Sequence, residues 1–321
     1  MPLCDPASVD FAAVKIIDAL KGPTPAFSFE FFPPKDADGV ERLFQTISEL
    51  RAYEPTYVSV TYGAMGSTRG LTVELVRRIK QEVGIEAMAH LTCVGSTREQ
   101  IGEVLAELHN GGIENVLPLR GDPPKGQESF VRVPGGFAYA SELVSFIRES
   151  RPELCLAGAC YPEKHPESPS PEVDLECLKR KVDAGVSFLI TQLFFDNDDY
   201  FRFVERARGV GIHCPIVAGI MPITNVQQVK RFTQMCGARI PEALLARLEA
   251  GADEATVRAI GVEHATQQCA GLLAGGAPGI HFYTLNRSTA TREILDNLRF
   301  EGVAPPTSSG RVGAAPNSVA S

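Results

Sequence analysis

Glu30 stands in "FSFEFFPPK" (residues 27–35), with Phe29 and Phe31 beside it and Phe27 and Phe32 close by. A run of that composition is expected to be buried, and glutamate is seldom fully buried unless paired. An unpaired carboxylate in an apolar setting is costly. Two readings follow: Glu30 has a partner, or burial raises its pKa and it works as a general acid. Other residues able to do chemistry recur near the ends of apolar runs. They are Thr61 and Tyr62 in "TYVSVTYG", His90 and Thr92 in "EAMAHLTCV", and Arg120, Gly121 and Asp122 in "ENVLPLRGD". Tyr161 ends "LCLAGACYP", with Lys164 and His165 just beyond; Gln192 lies in "FLITQLFF"; Tyr283, Asn286 and Arg287 lie in or after "GIHFYTLN". The run "PIVAGIMP" ends apolar, but Gln228 follows on the next helical segment. Each residue also has a plainer reading. His90 suits a hydrogen-bonded core histidine, Thr61 a strand former, and Gln192 an internal bridge. Arg120 and Asp122 suit a rim ion pair, and Arg180 with Lys181 in "CLKRKVDAG" an exposed helix face.

The elements that carry these residues alternate. Strand-like runs at 26–32, 56–63, 86–94, 114–122, 154–162, 188–195, 215–222 and 279–286 are each followed by a helical pattern. In the first helix Val40, Leu43, Phe44, Ile47 and Leu50 fall at helical spacing. Later helices are expected at 71–83, 97–109, 139–150, 171–184, 198–208, 225–235 and about 288–298, with two extra ones at 241–250 and 253–273. Strands alternating with helices pair in parallel through right-handed crossovers. Eight such units predict an α/β TIM (β/α)8 barrel with extra helices before the last strand, in preference to an open doubly wound sheet. In such a barrel the chemistry sits at the C-terminal ends of the strands, where the polar residues converge. Residues 1–300 are read as a single catalytic barrel domain. Residues 301–321, rich in Ala, Gly, Pro and Ser, are read as a disordered tail.

Composition narrows the function. The 321 residues are 44% hydrophobic and 22% charged, as expected for a globular chain long enough for one barrel. A net charge of −8 gives no broad basic footprint, which speaks against nucleic acid. The eight cysteines form no C-x-x-C pair, so no zinc or dithiol motif and no metal site is indicated. No signal-peptide pattern and no long apolar run is present, so the expectation is a cytoplasmic protein with no membrane association. G-x-G-x-x-G, G-x-x-x-x-G-K-[ST], H-E-x-x-H and G-x-S-x-G are absent, and "GGAPG" (275–279) precedes a strand. A nucleotide cofactor would therefore be held by the barrel loops.

Taken in order, "FSFEFFPPK", "YVSVTYGAMGSTR", "HLTCVGSTREQI", "VLPLRGDPP", "GACYPEKHPES", "LKRKVDAG", "FLITQLFFDND", "VAGIMPITN" and "HFYTLNRS" resemble the methylenetetrahydrofolate reductase family from about residue 20 to 300. The likeness is to the short bacterial type, without the C-terminal regulatory domain of eukaryotic members. It implies a TIM barrel with FAD at its C-terminal face and ping-pong hydride transfer. NADH or NADPH reduces the flavin, and methylenetetrahydrofolate is then reduced to methyltetrahydrofolate, supplying methyl groups for methionine synthesis. By motif, Glu30 matches the acid that opens the bridging methylene to an iminium ion, a role that calls for a raised pKa. Asp122 matches the aspartate between flavin and folate. The resemblance assigns FAD contacts to Tyr62, Ala64, His90, Arg120, Gly121, Asp122, Tyr139, Ala140, Tyr161, His165, Ser168, Asp174, Arg180 and Lys181. It assigns nicotinamide or folate contacts to Thr61, Gln192, Gln228, Phe232 and Arg287. Cys177 departs from the amide-bearing residue common in relatives, and Ser168 replaces a small apolar one. A homo-oligomer is implied as well. The alternative is another FAD-binding barrel oxidoreductase, such as a proline dehydrogenase-like enzyme.

Overall fold

The computed structural model describes residues 14–62, 69–123, 126 and 130–303. Ala64 and most of the 301–321 tail lie outside the described residues. A short helix α1 (Ile16–Leu20) leads into β1 (Ala26–Phe31), α2 (Ala37–Arg51), β2 (Tyr57–Val60) and α3 (Arg69–Arg78), which ends in a π turn over Ile79–Val83. Then come β3 (Ala87–Thr92), α4 (Arg98–Asn110), β4 (Asn115–Leu119), α5 (Ala140–Ser150), β5 (Cys155–Cys160), α6 (Pro171–Asp183), β6 (Phe188–Thr191) and α7 (Asn197–Gly209). The chain continues through β7 (Ile216–Ile220), α8 (Val226–Cys236), α9 (Glu242–Glu249), α10 (Glu254–Ala274), β8 (Gly279–Tyr283) and α11 (Thr289–Phe300). Each strand pairs in parallel with the next, and β8 closes on β1 from Ala26↔Gly279 to Glu30↔Tyr283. That last pairing makes a closed (β/α)8 barrel and excludes an open sheet.

Helix starts follow local capping chemistry. Thr97 and Gln100 form a reciprocal capping box at α4. At α6 the Ser170 hydroxyl accepts from Val173 N–H, and Pro171 holds the first helical position. This start fixes the phase of α6, so that Asp174, Cys177 and Lys181 share the face turned to the barrel mouth.

Strand alternation sorts the core into two layers. Phe27, Phe29 and Phe31 point outward with Val58, Val60, Leu91 and Phe282, into the layer between sheet and helices. Ala26, Tyr57, Met88, Leu117, Ala157, Phe188, Ile190 and Val217 fill the barrel interior. Ser28 and Glu30 share that inward face, so the phenylalanines adjacent in sequence lie on the opposite side of the sheet.

Two features depart from the sequence reading. The strands end earlier than their apolar runs, at Val60, Leu119, Cys160 and Thr191; Thr61 N–H still donates to Phe31 O and Gln192 N–H to Cys160 O, and beyond those bonds the chain turns onto the rim. Thr61, Arg120, Gly121, Tyr161 and Gln192 therefore begin loops instead of ending strands. The helix α1 was not anticipated. It closes the N-terminal end of the barrel, where Ile16 N–H donates to Asn115 Oδ1 at 2.9 Å. Asn115 Nδ2 donates to Val14 O at 3.0 Å and to Glu86 Oε1 at 3.0 Å. Lys80 Nζ lies 2.9 Å from Glu86 Oε2, both side chains about nine-tenths buried.

Candidate active site

A cavity of about 980 Å³ opens at the C-terminal ends of the strands. That is the upper end of the roughly 300–1,000 Å³ usual for small-molecule sites. Strands and the residues just past them contribute Glu30, Thr61, Tyr62, His90, Arg120, Gly121, Asp122, Tyr161 and Gln192. The loops and helices beyond contribute Tyr139, Ala140, His165, Ser168, Asp174, Arg180, Lys181 and Phe232. Gln228 and Arg287 are not among the lining residues. Gln228 lies half-buried in the first turn of α8, its N–H capped by Asn225 Oδ1 at 2.9 Å. Arg287 is exposed just past β8.

The floor is polar. Glu30 is 7% exposed, and its Oε2 lies 3.5 Å from His281 Nε2 and 3.4 Å from His90 Nε2. The His90 contact lacks hydrogen-bond geometry. Burial pushes the Glu30 carboxyl upward, but the hydrogen bond from His281 and the two nearby imidazoles outweigh it and hold the group below the usual carboxylate range. Burial pushes His90 down to about 4, which leaves it neutral near pH 7. The expectation of a raised Glu30 pKa in a phenylalanine wall is thus corrected. The alternation of β1 turns Phe27, Phe29 and Phe31 away, and Glu30 is a paired acid among imidazoles and hydroxyls.

His281 was missed from sequence. It is fully buried, with Nδ1 2.8 Å from Ser28 Oγ. The signal is in "GIHFYTLN": His281 and Tyr283 are two apart and share the inward face. Tyr283 itself crosses the floor and donates from Oη to Thr191 O at 2.6 Å. It fits because Gly219 lies under it; a Cβ there would sit 2.2 Å from Thr191 O and 2.8 Å from the tyrosine ring.

On the wall, Arg120 forks onto Glu167 with contacts of 2.6 and 2.7 Å and lies 5.2 Å over the Phe130 ring. The rim pair is therefore Arg120–Glu167, not Arg120–Asp122; Asp122 is exposed. Gly121 has φ +87°, and a Cβ there would lie 2.6 Å from Val94 Cγ1. Only glycine allows this close turn without strain. Beneath it, Thr92 Oγ1 is buried without a hydrogen-bond partner. His165 Nδ1 accepts from Glu167 N–H at 3.1 Å, which places the proton of the neutral ring on Nε2. Asp174 Oδ2 accepts from His165 N–H, and Lys164 Nζ donates to the carbonyls of His165 and Ser168, so this loop is braced from both sides. The expected basic pair divides. Lys181 donates to Ala159 O and burial pushes its ammonium pKa down, while Arg180 is exposed and donates to Cys177 Sγ at 2.9 Å. Burial pushes the Tyr161 hydroxyl up to about 12, against a hydrogen bond with Gln192. Tyr139 is 63% exposed, a free ring at the mouth.

Comparison with known proteins follows the same residues. The profile of the family described as methylenetetrahydrofolate reductase matches residues 15–299. "Methylenetetrahydrofolate reductase (NADH) 1" of Arabidopsis thaliana is 44% identical over 302 residues, covering 89% of this chain and 51% of the relative. The 5,10-methylenetetrahydrofolate reductase of Escherichia coli K12 is 39% identical over 280 residues, covering 87% of this chain and 91% of the relative. The chain thus spans about half the length of its plant relatives and most of the bacterial one. Among solved structures, a Clostridium thermocellum protein described as binding two copies of 5-methyl-5,6,7,8-tetrahydrofolic acid aligns with a TM-score of 0.59 at 14% identity, over 88% of this chain and 98% of that one. At that identity the likeness concerns the fold.

Proposed function

The chain belongs to the methylenetetrahydrofolate reductase family, and from that premise we propose that it reduces 5,10-methylenetetrahydrofolate to 5-methyltetrahydrofolate. The hydride source in this reading is NADH, the donor named for the plant relatives, and FAD carries it. The observation that carries the reading is the buried, paired Glu30 at the floor of a cavity ringed by polar loop residues.

The residues present suit a flavin dinucleotide. The cavity volume is adequate, Thr92 Oγ1 is a buried hydroxyl in need of a partner, and Gly121 leaves a space that any Cβ would fill. His165 Nε2, Arg180 and the backbone around Ser168 would hold the diphosphate and ribityl groups, and Tyr139 would cover the adenine end. Bound FAD supplies a two-electron carrier that accepts hydride from one substrate and yields it to the other. Asp122, exposed at the rim, accepts hydrogen bonds from the amino group and ring nitrogens of the pterin. Gln192 and Thr61 orient whichever planar substrate lies between rim and floor, and Phe232 stacks on it. Glu30 delivers the proton that opens the methylene bridge. A planar ligand over the floor strips the last water from this carboxyl. That adds to burial, already the largest influence on its pKa and an upward one. Resting Glu30 is thus ionised and paired, and it takes up its proton when the site fills.

The test is stepwise and anaerobic. Flavin-loaded protein loses its yellow absorbance on NADH and regains it on methylenetetrahydrofolate, with methyltetrahydrofolate formed. Protein that refuses FAD, or reduced flavin that the folate does not reoxidise, overturns the proposal.

A further inference from the structure

Helix α8 brings Phe232 to the cavity, yet it sits apart from the main core. Its buried residues are Val229 and Thr233. Val229 packs with Leu193, Met221, Ile223, Leu244 and Leu248 in a separate apolar cluster shared with α9, and Phe232 lies against that cluster. The N-terminal end of α8 is capped by Asn225. The C-terminal end meets the loop after β5, which carries His165 and Ser168. Gly237 ends the helix at φ +74°, its N–H donating to Thr233 O. A Cβ there would lie 3.3 Å from Pro166 Cγ and 3.6 Å from Lys164 O. Two residues on, Arg239 N–H donates to both oxygens of Glu163, at 3.1 and 3.0 Å. Glu163 is half-buried at the cavity wall. Burial pushes its pKa up, and the Arg239 N–H works against that by favouring the ionised form. The loop is fixed from behind as well, where Arg206 of α7 donates to Pro162 O at 3.2 Å.

We infer that Glu163 is a positioning residue for Phe232: its carboxylate clamps Arg239 N–H, ties the C-terminal end of α8 to the loop of His165 and Ser168, and so sets the Phe232 ring against the planar substrate. This rests on the stacking role proposed for Phe232. Glu163 acts through the helix and not on the ligand, because both its oxygens are turned to one N–H. The side chain of Arg239 is held separately. Its guanidinium lies 3.7 Å from Asp199 Oδ2, and Asp199 Oδ1 accepts from Arg202 at 2.6 Å. The linker after α8 is thus gripped by its backbone at the loop after β5 and by its side chain at α7. Phe232 lies within two turns of Gly237, so a small shift at the clamp displaces the ring, and small misplacements at a reacting site are costly.

Two readouts separate a clamp for Phe232 from a plain strut. The first needs neither cofactor nor turnover: hydrogen–deuterium exchange of the backbone amides of α8 and residues 237–240. Glu163→Ala is expected to speed exchange there by about tenfold or more, the loss of a hydrogen bond to a charged group, and to leave α6 and α7 as in wild type. The second is saturation of each anaerobic half-reaction in flavin-loaded enzyme. The apparent Kd values for NADH and for methylenetetrahydrofolate are expected to rise about five- to tenfold, the worth of a displaced aromatic contact, while the limiting rates and the FAD affinity stay near wild type. Glu163→Gln keeps one acceptor oxygen and returns both readouts towards wild type. In a Phe232→Ala background Glu163→Ala adds little to either Kd, because the ring it places is gone. Unmoved exchange or unmoved Kd values in Glu163→Ala overturn the inference. So do effects that simply add in the double variant, or a fall in FAD affinity with the substrate Kd values unchanged. If Glu163→Ala does not fold, Glu163→Asp, one methylene too short to reach Arg239 N–H, is read in the same way. Should wild type fail to reduce the folate, the proposed function falls, and the exchange measurement still decides whether Glu163 holds α8.

Discussion

The barrel holds two buried polar clusters, one at each end, and they are built differently. At the N-terminal end Lys80, Glu86 and Asn115 are bound tightly. Glu86 Oε1 accepts from Lys80 Nζ, Ala87 N–H and Asn115 Nδ2 at 3.0 to 3.2 Å, and Asn115 ties in α1 through Val14 and Ile16. At the C-terminal end the carboxylate meets its imidazoles at 3.4 and 3.5 Å, while His90 Nε2 and Thr92 Oγ1 lack hydrogen-bond partners. Buried polar groups are normally satisfied. The tight cluster obeys that rule and holds the fold together. The loose one breaks it beside a cavity, where groups must be free to exchange partners with a ligand. The same residue type, a buried glutamate, serves as a strut in one place and, in the proposed reaction, as the proton donor in the other.

The comparison can be broken most sharply at Glu30. Glu30→Gln is expected to slow the folate half-reaction by about 10²–10⁴-fold, the usual worth of a general acid, and to leave flavin reduction by NADH near wild type. Equal loss of both half-reactions would make Glu30 another strut. At the other end, Lys80→Ala leaves the Glu86 carboxylate buried and short of its charged partner. It is expected to cost about 3–5 kcal/mol of stability, read from urea denaturation, with each half-reaction unchanged per folded molecule. A smaller effect sharpens the picture of the loose cluster. Unfolded His90 takes up a proton below its ordinary 6.5, whereas the folded protein resists until about 4. The stability from keeping it neutral is therefore complete above pH 6.5 and is lost as pH falls towards 4, at most about 3 kcal/mol. The melting temperature should drop across that window in wild type and drop less in His90→Phe.

The barrel was legible in the sequence because eight apolar runs alternate with helical periodicity, and each run is long enough to stand out. The polar rim was legible because those runs end in residues such as Thr61, Arg120, Asp122 and Gln192, which a plain core does not need. What escaped has physical causes. The five-residue α1 is too short to show a period. Its place is set by the distant Asn115. The setting of Glu30 is hidden in the sequence because its neighbours in sequence are not its neighbours in space. A strand sends Phe29 and Phe31 to the opposite face, and the true wall comes from Ser59, His90 and His281 on three other strands. The Arg120–Glu167 fork depends on a loop conformation that residue types alone do not specify.

The two ends meet in one measurement: melting temperature and both half-reaction rates, taken on the same preparations of wild type, Glu30→Gln and Lys80→Ala. A crossed result is expected. Glu30→Gln loses the folate half-reaction while melting close to wild type, and Lys80→Ala melts well below wild type while its folded fraction keeps both rates. A Glu30→Gln protein that reduces the folate at the wild-type rate, or a Lys80→Ala protein whose folded fraction has lost that step, would contradict it.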